Sequence, residues 1–481
     1  MSDTDLFHLP AHKTLELFRQ KKLSPVEHVE AMIRRAEQVE PDLNALVFKY
    51  YDEALAAAKK AEDKYANGRR TRPLEGLTVG IKDEGFIKGK ITTNGSLAMK
   101  DFVAPRTSAV NAQIMRAGGI VHARTATPEF SCTVTTHSKL WGVTRNPWNP
   151  EYSPGGSSGG SAASLASGTS ALCTGSDIAG SIRIPSSICG LYGLKPTFGR
   201  NPADSPFNLD QYAVDGAMAR TAKDMIMLQN VMCGPAKEDM VSIRPKLRIS
   251  TELKSIKGWK IAYSPNLGFY HVDEDVRRNT EAALDVLRSA GAIVEQVDLN
   301  WEIGILDSAM AHLRHLMGGI MTEEVDANPD IYMPYTRDLV RGAHETTVQD
   351  FIKAAETANR MYEEVARIFS KFRLLVTPTT ALPSVAADCN GVDDEVLING
   401  HKVHPLTGWI MTFPFNMLCR CPVMSVPSGR AQSGVPTGMQ IVGHTYRDAD
   451  VCRAALAYEE VMGSLFSDAN RPALVGGGGA G

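Results

Sequence analysis

Short apolar runs alternate with amphipathic segments along most of the chain. Short segments of four to six residues, rich in apolar positions, predict strands at 77–82, 120–125, 170–174, 260–263, 293–297, 374–377, 423–426 and 439–442. Helices are predicted at 108–117, 161–167, 275–290, 349–372 and 449–462, several of them closed by glycine. Strand, helix and strand over 77–125 argue a βαβ unit with parallel strands, and hence an α/β fold. Ahead of it, Ser24-Pro25-Val26-Glu27 reads as a capping box with proline in the first turn. That helix is expected to run to about Val39 and stop before Pro41, because proline breaks helices. A second helix, 51–67, is rich in Ala and Lys and ends at Gly68. The chain thus divides into N-terminal helices at 1–72 packing on a core at 73–472, with a glycine-rich, loose tail at 473–481. The stretch 300–350 is mixed, and Met310, Met317, Met321 and Met333 read as core filler. Residues 386–402 read as a polar hairpin or loop, and 409–415 as an apolar cover for a pocket.

Composition narrows the classes. Of 481 residues, 43% are hydrophobic and 22% charged, with a net charge of −3. These are ordinary values for a globular protein. No basic block points to nucleic acid or a membrane surface. No apolar h-region opens the chain, and no apolar run reaches the ~18 residues of a membrane span. A cytoplasmic protein, monomeric or homodimeric, is expected. The eight cysteines are scattered, and Cys419 and Cys421 alone make a weak metal signal. The twelve histidines form no H-E-x-x-H pattern, so neither metal nor cofactor is expected.

The chemistry concentrates in Gly155-Gly156-Ser157-Ser158-Gly159-Gly160-Ser161 and, further on, Gly180-Ser181-Ile182-Arg183. A glycine-rich loop with free N–H groups binds anions. A flexible linker is disfavoured by the ordered apolar segments on both sides. A phosphate loop is disfavoured because neither the Gly-Lys-Ser/Thr ending nor the G-x-G-x-x-G spacing is present. Ser157 and Ser181 are 24 positions apart, so only tertiary structure can join them. Upstream, Lys82 ends an apolar strand, where lost hydration favours the neutral amine. A neutral lysine, a relay hydroxyl and a nucleophilic hydroxyl form a variant of the serine hydrolase triad.

These segments resemble the amidase signature enzymes. The resemblance rests on Gly80-Ile81-Lys82-Asp83, on Pro154 to Ser161, on Gly175-Ser176-Asp177-Ile178-Ala179-Gly180-Ser181-Ile182-Arg183-Ile184-Pro185, and on Gly193-Leu194-Lys195-Pro196-Thr197. The 75 positions between Lys82 and Ser157 match as well, and weaker similarity reaches Gly438 to Gly443. The resemblance implies a single amidase signature domain over 73–472, with a central mixed β-sheet covered by α-helices on both faces. It implies Ser181 as nucleophile, Ser157 as a bridging serine after a cis peptide bond from Gly156, and Lys82 as base. It also implies an oxyanion hole from the backbone N–H groups of Ile178, Ala179, Gly180 and Ser181. Ser158, Asp177 and Arg183 are expected to hold the loops, the last two as an ion pair. The family commonly has two glycines before the nucleophile, and here the pair is Ala179-Gly180.

Three functions compete: an amide hydrolase also open to carbamates and esters, the glutamine-hydrolysing subunit of a tRNA-dependent amidotransferase, and a dead family member used for binding. The intact Lys82, Ser157 and Ser181 weigh against the last. The second implies an arginine from the long helix before Thr377-Pro378-Thr379. Ala358 stands at that position, with Arg360 two residues on. Ile184, three residues after Ser181, offers no charge for a carboxylate. Ser131, Cys132, Thr133, Ile184 and Phe415 are therefore taken as pocket residues, with Phe130, Val134, Trp409, Ile410, Met411 and Phe413 as further apolar walls. The expected substrate is a small neutral molecule with a largely apolar group beside its C–N bond.

Overall fold

The capping box closes as its residues require. The Ser24 hydroxyl accepts from the Val26 and Glu27 N–H groups at 3.1 Å each, and the Glu27 carboxylate accepts from the Ser24 N–H at 2.7 Å. The helix Pro25–Leu43 nevertheless runs through Pro41, not stopping before it. Pro41 sits in the last turn, where the missing N–H costs a single bond. Asn44, in the left-handed region at φ 53°, then ends the helix. Glu40 accepts from the Ala45 and Leu46 N–H groups at 2.9 and 2.8 Å and turns the chain into the first strand.

The computed structural model describes residues 6–467 and 470–472; the tail expected at 473–481 lies outside the described residues. Its strands, in chain order, begin with β1 (Leu46–Lys49), β2 (Thr78–Lys82) and β3 (Ile120–Thr125). A small hairpin, β4 (His137–Ser138) with β5 (Gly142–Val143), precedes β6 (Leu172–Asp177), β7 (Tyr192–Lys195) and β8 (Val214–Ala219). Then come β9 (Lys260–Tyr263), β10 (Ile293–Gln296) and β11 (Leu374–Pro378). A second hairpin, β12 (Val396–Ile398) with β13 (His401–Val403), falls in the polar stretch after Ala386. Strands β14 (Val423–Arg430) and β15 (Pro436–Gly443) close the sheet. The eleven-stranded sheet has the order β1-β3-β2-β6-β8-β7-β14-β15-β11-β9-β10. It is mixed: β3, β2 and β6 are parallel, as are β11, β9 and β10, and antiparallel pairs join these blocks.

Both faces are buried, and the pleat sorts the side chains between them. Leu374, Val376, Met424, Val426, Met439 and Ile441 join one apolar cluster, with residues of the helices Ala222–Met232, Glu274–Ser289 and Asp448–Met462. Their neighbours Leu375, Val423 and Val442 join another, with Ile184, Ile188 and the segment from Trp301 to Met333. The N-terminal helices belong to the first cluster through Leu15, Phe18 and Met32. Three of the four methionines read as filler, Met317, Met321 and Met333, are buried in the second cluster. Strand β6 runs on to Asp177, three residues beyond the apolar run that predicts it, because the polar end pairs in register with β8. Among the described residues no helix is long and apolar enough to cross a membrane.

Candidate active site

Strands β2 and β6 are parallel neighbours, with Val79 opposite Leu172 and Gly80 opposite Cys173. Their carboxyl ends therefore deliver Lys82 and Ser176 to the same place, as the C-terminal edges of parallel strands commonly do for ligand sites. Lys82 is 2% exposed, and its amine has three oxygen neighbours. Its Nζ lies 2.6 Å from Ser157 Oγ, 2.8 Å from Ser176 Oγ and 3.1 Å from Glu84 Oε2. Burial pulls the Lys82 amine below the ordinary lysine range, and the Glu84 charge opposes this without cancelling it.

Ser157 is held by close backbone packing. The Gly156–Ser157 peptide is cis. A side chain at position 156 has no room, since its Cβ would lie 2.4 Å from the Thr135 carbonyl oxygen. Thr136 Oγ1 donates to the Gly155 carbonyl at 2.8 Å and pins the approach. The Ser158 N–H donates to the Ser181 carbonyl at 3.2 Å, and its hydroxyl accepts from the Ser176 N–H at 3.3 Å. Ser158 thus ties the glycine-rich loop to both other parts of the site. Among the described residues no hydrogen bond joins the Ser157 and Ser181 hydroxyls directly.

Between β6 and the helix Arg183–Cys189, the chain turns through Ile178-Ala179-Gly180-Ser181. No acceptor among the described residues takes the N–H groups of these four residues. Successive free N–H groups of this kind make an anion-binding nest. Gly180 sits at φ +127°, outside the range of residues with side chains. A Cβ there would also lie 2.0 Å from Thr412 Oγ1, which donates to the Ala179 carbonyl at 2.7 Å.

The loop is locked by a buried ion pair. Arg183 and Asp177 are both fully buried. Arg183 Nε and Nη2 donate to the two Asp177 carboxylate oxygens at 2.9 Å each. Its remaining N–H groups go to the Thr412 carbonyl at 3.0 Å, Gln440 Oε1 at 3.0 Å and Asn416 Oδ1 at 2.6 Å. All five guanidinium donors are therefore satisfied. Asn416 returns a bond to Asp177 at 2.8 Å. Burial pushes the Asp177 carboxyl up, but Arg183 and Asn416 outweigh it and leave the group below its ordinary range.

The remaining residues fall into two groups. Ser131 is half-buried and donates to Glu84 Oε2 at 2.8 Å, so it stands beside the Lys82 amine. Phe130 and Ser131 both have positive φ, 48° and 61°. Glu129 anchors this turn, accepting from Ser96 Oγ at 3.0 Å and from the Met333 N–H and Thr336 Oγ1 at 2.7 Å each. Cys132, Val134, Ile184, Phe415, Trp409, Ile410, Met411 and Phe413 all lie in one apolar cluster with Ala179, and Phe130 packs against it. Phe415 packs its ring on Trp301. Thr133 is buried, with its hydroxyl unpaired. Glu84, Ser176, Thr412, Asn416 and Gln440 escape a reading of the sequence alone. For Ser176 a signal existed, since Thr174 and Ser176 alternate on one face of a strand once that strand is known to extend to Asp177.

Comparison with known proteins gives the family. The family model described as Amidase matches residues 27–452. The chain belongs to the amidase signature family. Members of this family are hydrolases that act on amides. The chain is 32% identical over 475 residues to an acylamidase of Rhodococcus erythropolis, covering 96% of this chain and 97% of the relative. It is also 32% identical over 480 residues to a glutamyl-tRNA(Gln) amidotransferase subunit of Geobacillus thermodenitrificans, covering 92% and 95%. The crystal structure of a bacterial aryl acylamidase of the amidase signature family superposes with a TM-score of 0.89 at 28% identity, covering 98% of this chain and 99% of that one. The Arg183 lock gives a direct test. Replacing Arg183 by Ala leaves a buried carboxylate unpaired and is expected to cost about 3–5 kcal/mol, read as a lowered denaturant midpoint. An unchanged midpoint would contradict the structural role of the pair.

Proposed function

We propose that this chain hydrolyses the C–N bond of a neutral, largely apolar amide, anilides included, through an acyl-enzyme on Ser181. The observation that carries this is the 2.6 Å contact of the buried Lys82 amine with Ser157, beside four unclaimed N–H groups at the Ser181 loop. A serine hydroxyl attacks a carbonyl only when its proton has a destination. Ser181 passes its proton to Ser157, and Ser157 to neutral Lys82. The tetrahedral oxyanion is held by N–H groups from Ile178, Ala179, Gly180 and Ser181, each worth ~3 kcal/mol. The proton returns through Ser157 to the departing nitrogen, and water then releases the acyl group by the same relay. Carbamates and esters present the same carbonyl and are accepted where the leaving group fits.

The relatives named acylamidase and aryl acylamidase support the amide reading. The amidotransferase relatives raise glutamine as a second substrate class, and the long helix Val348–Phe369 speaks against it. Ala358 there packs against the apolar cluster, while Arg360 is exposed and donates to Thr357 Oγ1 at 2.9 Å. Ala358 carries no charge, and the Arg360 guanidinium lies on an exposed part of the helix. The apolar cluster that includes Ala179 and Ile184 favours an uncharged acyl or aryl group. An anion buried there without a partner costs several kcal/mol.

Two measurements follow. Ser181→Ala is expected to abolish turnover of an anilide by the purified chain, without tRNA or a second subunit, while its circular dichroism and melting temperature stay unchanged. Near-wild-type activity in that variant would refute the mechanism. The second is kcat/KM for a neutral anilide against an equally sized amide with a carboxylate on its acyl chain. The neutral substrate should win by at least tenfold, about 1.4 kcal/mol; a preference for the anion would refute the apolar pocket.

A further inference from the structure

A neutral lysine amine has two N–H donors and one lone pair. The Lys82 amine has three oxygen neighbours, and they differ in kind. The ionised Glu84 carboxylate is an acceptor only. Glu84 Oε2 also accepts from Ser131 Oγ at 2.8 Å, a serine that the left-handed turn at Phe130 and Ser131 holds in place. Ser176 has its own proton available for Glu84, so toward Lys82 it acts as an acceptor at 2.8 Å. Ser157 is then the neighbour left to face the lone pair, at 2.6 Å. Two acceptors fix two N–H bonds, and the free valence of nitrogen points at the hydroxyl from which it must take a proton.

We infer that Glu84 is a positioning residue for the base: it accepts one N–H of neutral Lys82, aims the lone pair at Ser157, and holds a negative charge beside the ammonium that proton transfer creates. This rests on the reading of Lys82 as the base of the triad. The proton moves from Ser181 Oγ to Ser157 Oγ and from Ser157 Oγ to Lys82 Nζ; Glu84 takes none.

The other charged groups around the amine are already committed or neutral. From β6, Asp177 is bound by Arg183. On the segment of Lys82 itself, Asp83 is paired with buried Arg124 at 3.3 Å. From β8, Asp215 stands directly across from Ser176. Burial pushes the Asp215 carboxyl up to about 8, helped by the charges of Glu84 and then of Asp204, against the pull of Lys82. Asp215 is therefore protonated at neutral pH. For Glu84, burial pushes the carboxyl up, but the Lys82 charge and the hydrogen bonds from Ser176, Ser131 and Lys82 outweigh it and hold the group below its ordinary range; the hydrogen bonds remain when Lys82 is neutral. With 23% of its side chain exposed, Glu84 also keeps part of its hydration, which Lys82 at 2% does not.

The test is the pH profile of kcat/KM for a neutral anilide, measured on the wild type, Glu84→Gln and Glu84→Ala, with melting temperatures to verify folding. The acid limb reports the deprotonation of Lys82. Ionised Glu84 raises that pKa, so removing its charge must lower it. Both variants are expected to move the acid limb to lower pH by about one unit or more. On the high-pH plateau kcat should fall roughly tenfold in Glu84→Gln, which keeps an acceptor, and further in Glu84→Ala, which does not. A purely structural Glu84 would change stability and leave the limb in place. An acid limb that stays put in both folded variants, or moves to higher pH, overturns the inference. Ser181→Ala separates the two readings: its inactivity alongside an unmoved limb removes the role of Glu84 and leaves the triad, whereas its activity removes the triad itself.

Discussion

A primary amine buried inside a β-sheet is the constraint on which the rest of the site depends. Charged and unpaired, it would cost several kcal/mol. Neutral, it is a base. Lys82 sits between these limits: burial lowers its proton affinity, while the Glu84 charge raises it, and burial wins. The sheet makes the balance possible, because parallel β2 and β6 put Lys82 and Ser176 side by side at their carboxyl ends. Neither strand alone provides more than one of the oxygens around the amine.

The second requirement is a loop that keeps its N–H groups unspent. Backbone donors seek partners, and a buried loop normally folds so that they find them. Here Arg183 takes over the shaping. Its five donors are shared among Asp177, Asn416, Gln440 and the Thr412 carbonyl, which joins β6, β15 and the apolar 409–417 segment. Thr412 fixes the loop from the other side by donating to the Ala179 carbonyl. The carbonyls of Ala179, Gly180 and Ser181 are bound, and the N–H groups of the turn are not. That asymmetry distinguishes an anion nest from an ordinary turn. The alanine at 179, where the family commonly has glycine, is accommodated because its methyl group joins the apolar cluster with Ile184.

Much of this was legible in the residues. Lys82 at the end of an apolar strand, the glycine-rich stretch and the Ser181 segment are local features, and local sequence carries them. The outer strands β9, β10, β11 and β15 are apolar runs and were readable within a few residues. Strands β7 and β8 in the middle of the sheet, and β1 at its edge, were not. In β7 and β8 the runs are interrupted by Gly193, Asp215 and Gly216, residues chosen for close packing and for the site rather than for apolar periodicity. The polar end of β6 kept Ser176 and Asp177 out of the predicted strand for the same reason. Pro41 misled in the opposite direction, because a proline in a final turn costs little. Glu84 escaped notice because its role depends on a contact with Ser131, 47 residues away, which no spacing rule encodes.

The central claim is covalent, and mass spectrometry of the acylated protein tests it most directly. Rapid acid quench during turnover of an activated ester or slow amide, followed by proteolysis, locates the acyl group. The account predicts one acyl adduct on the peptide carrying Ser181, formed in the wild type and absent from Ser181→Ala. An adduct on Ser157 or Lys82, or full turnover with no adduct on any serine under conditions where deacylation is rate-limiting, would contradict it.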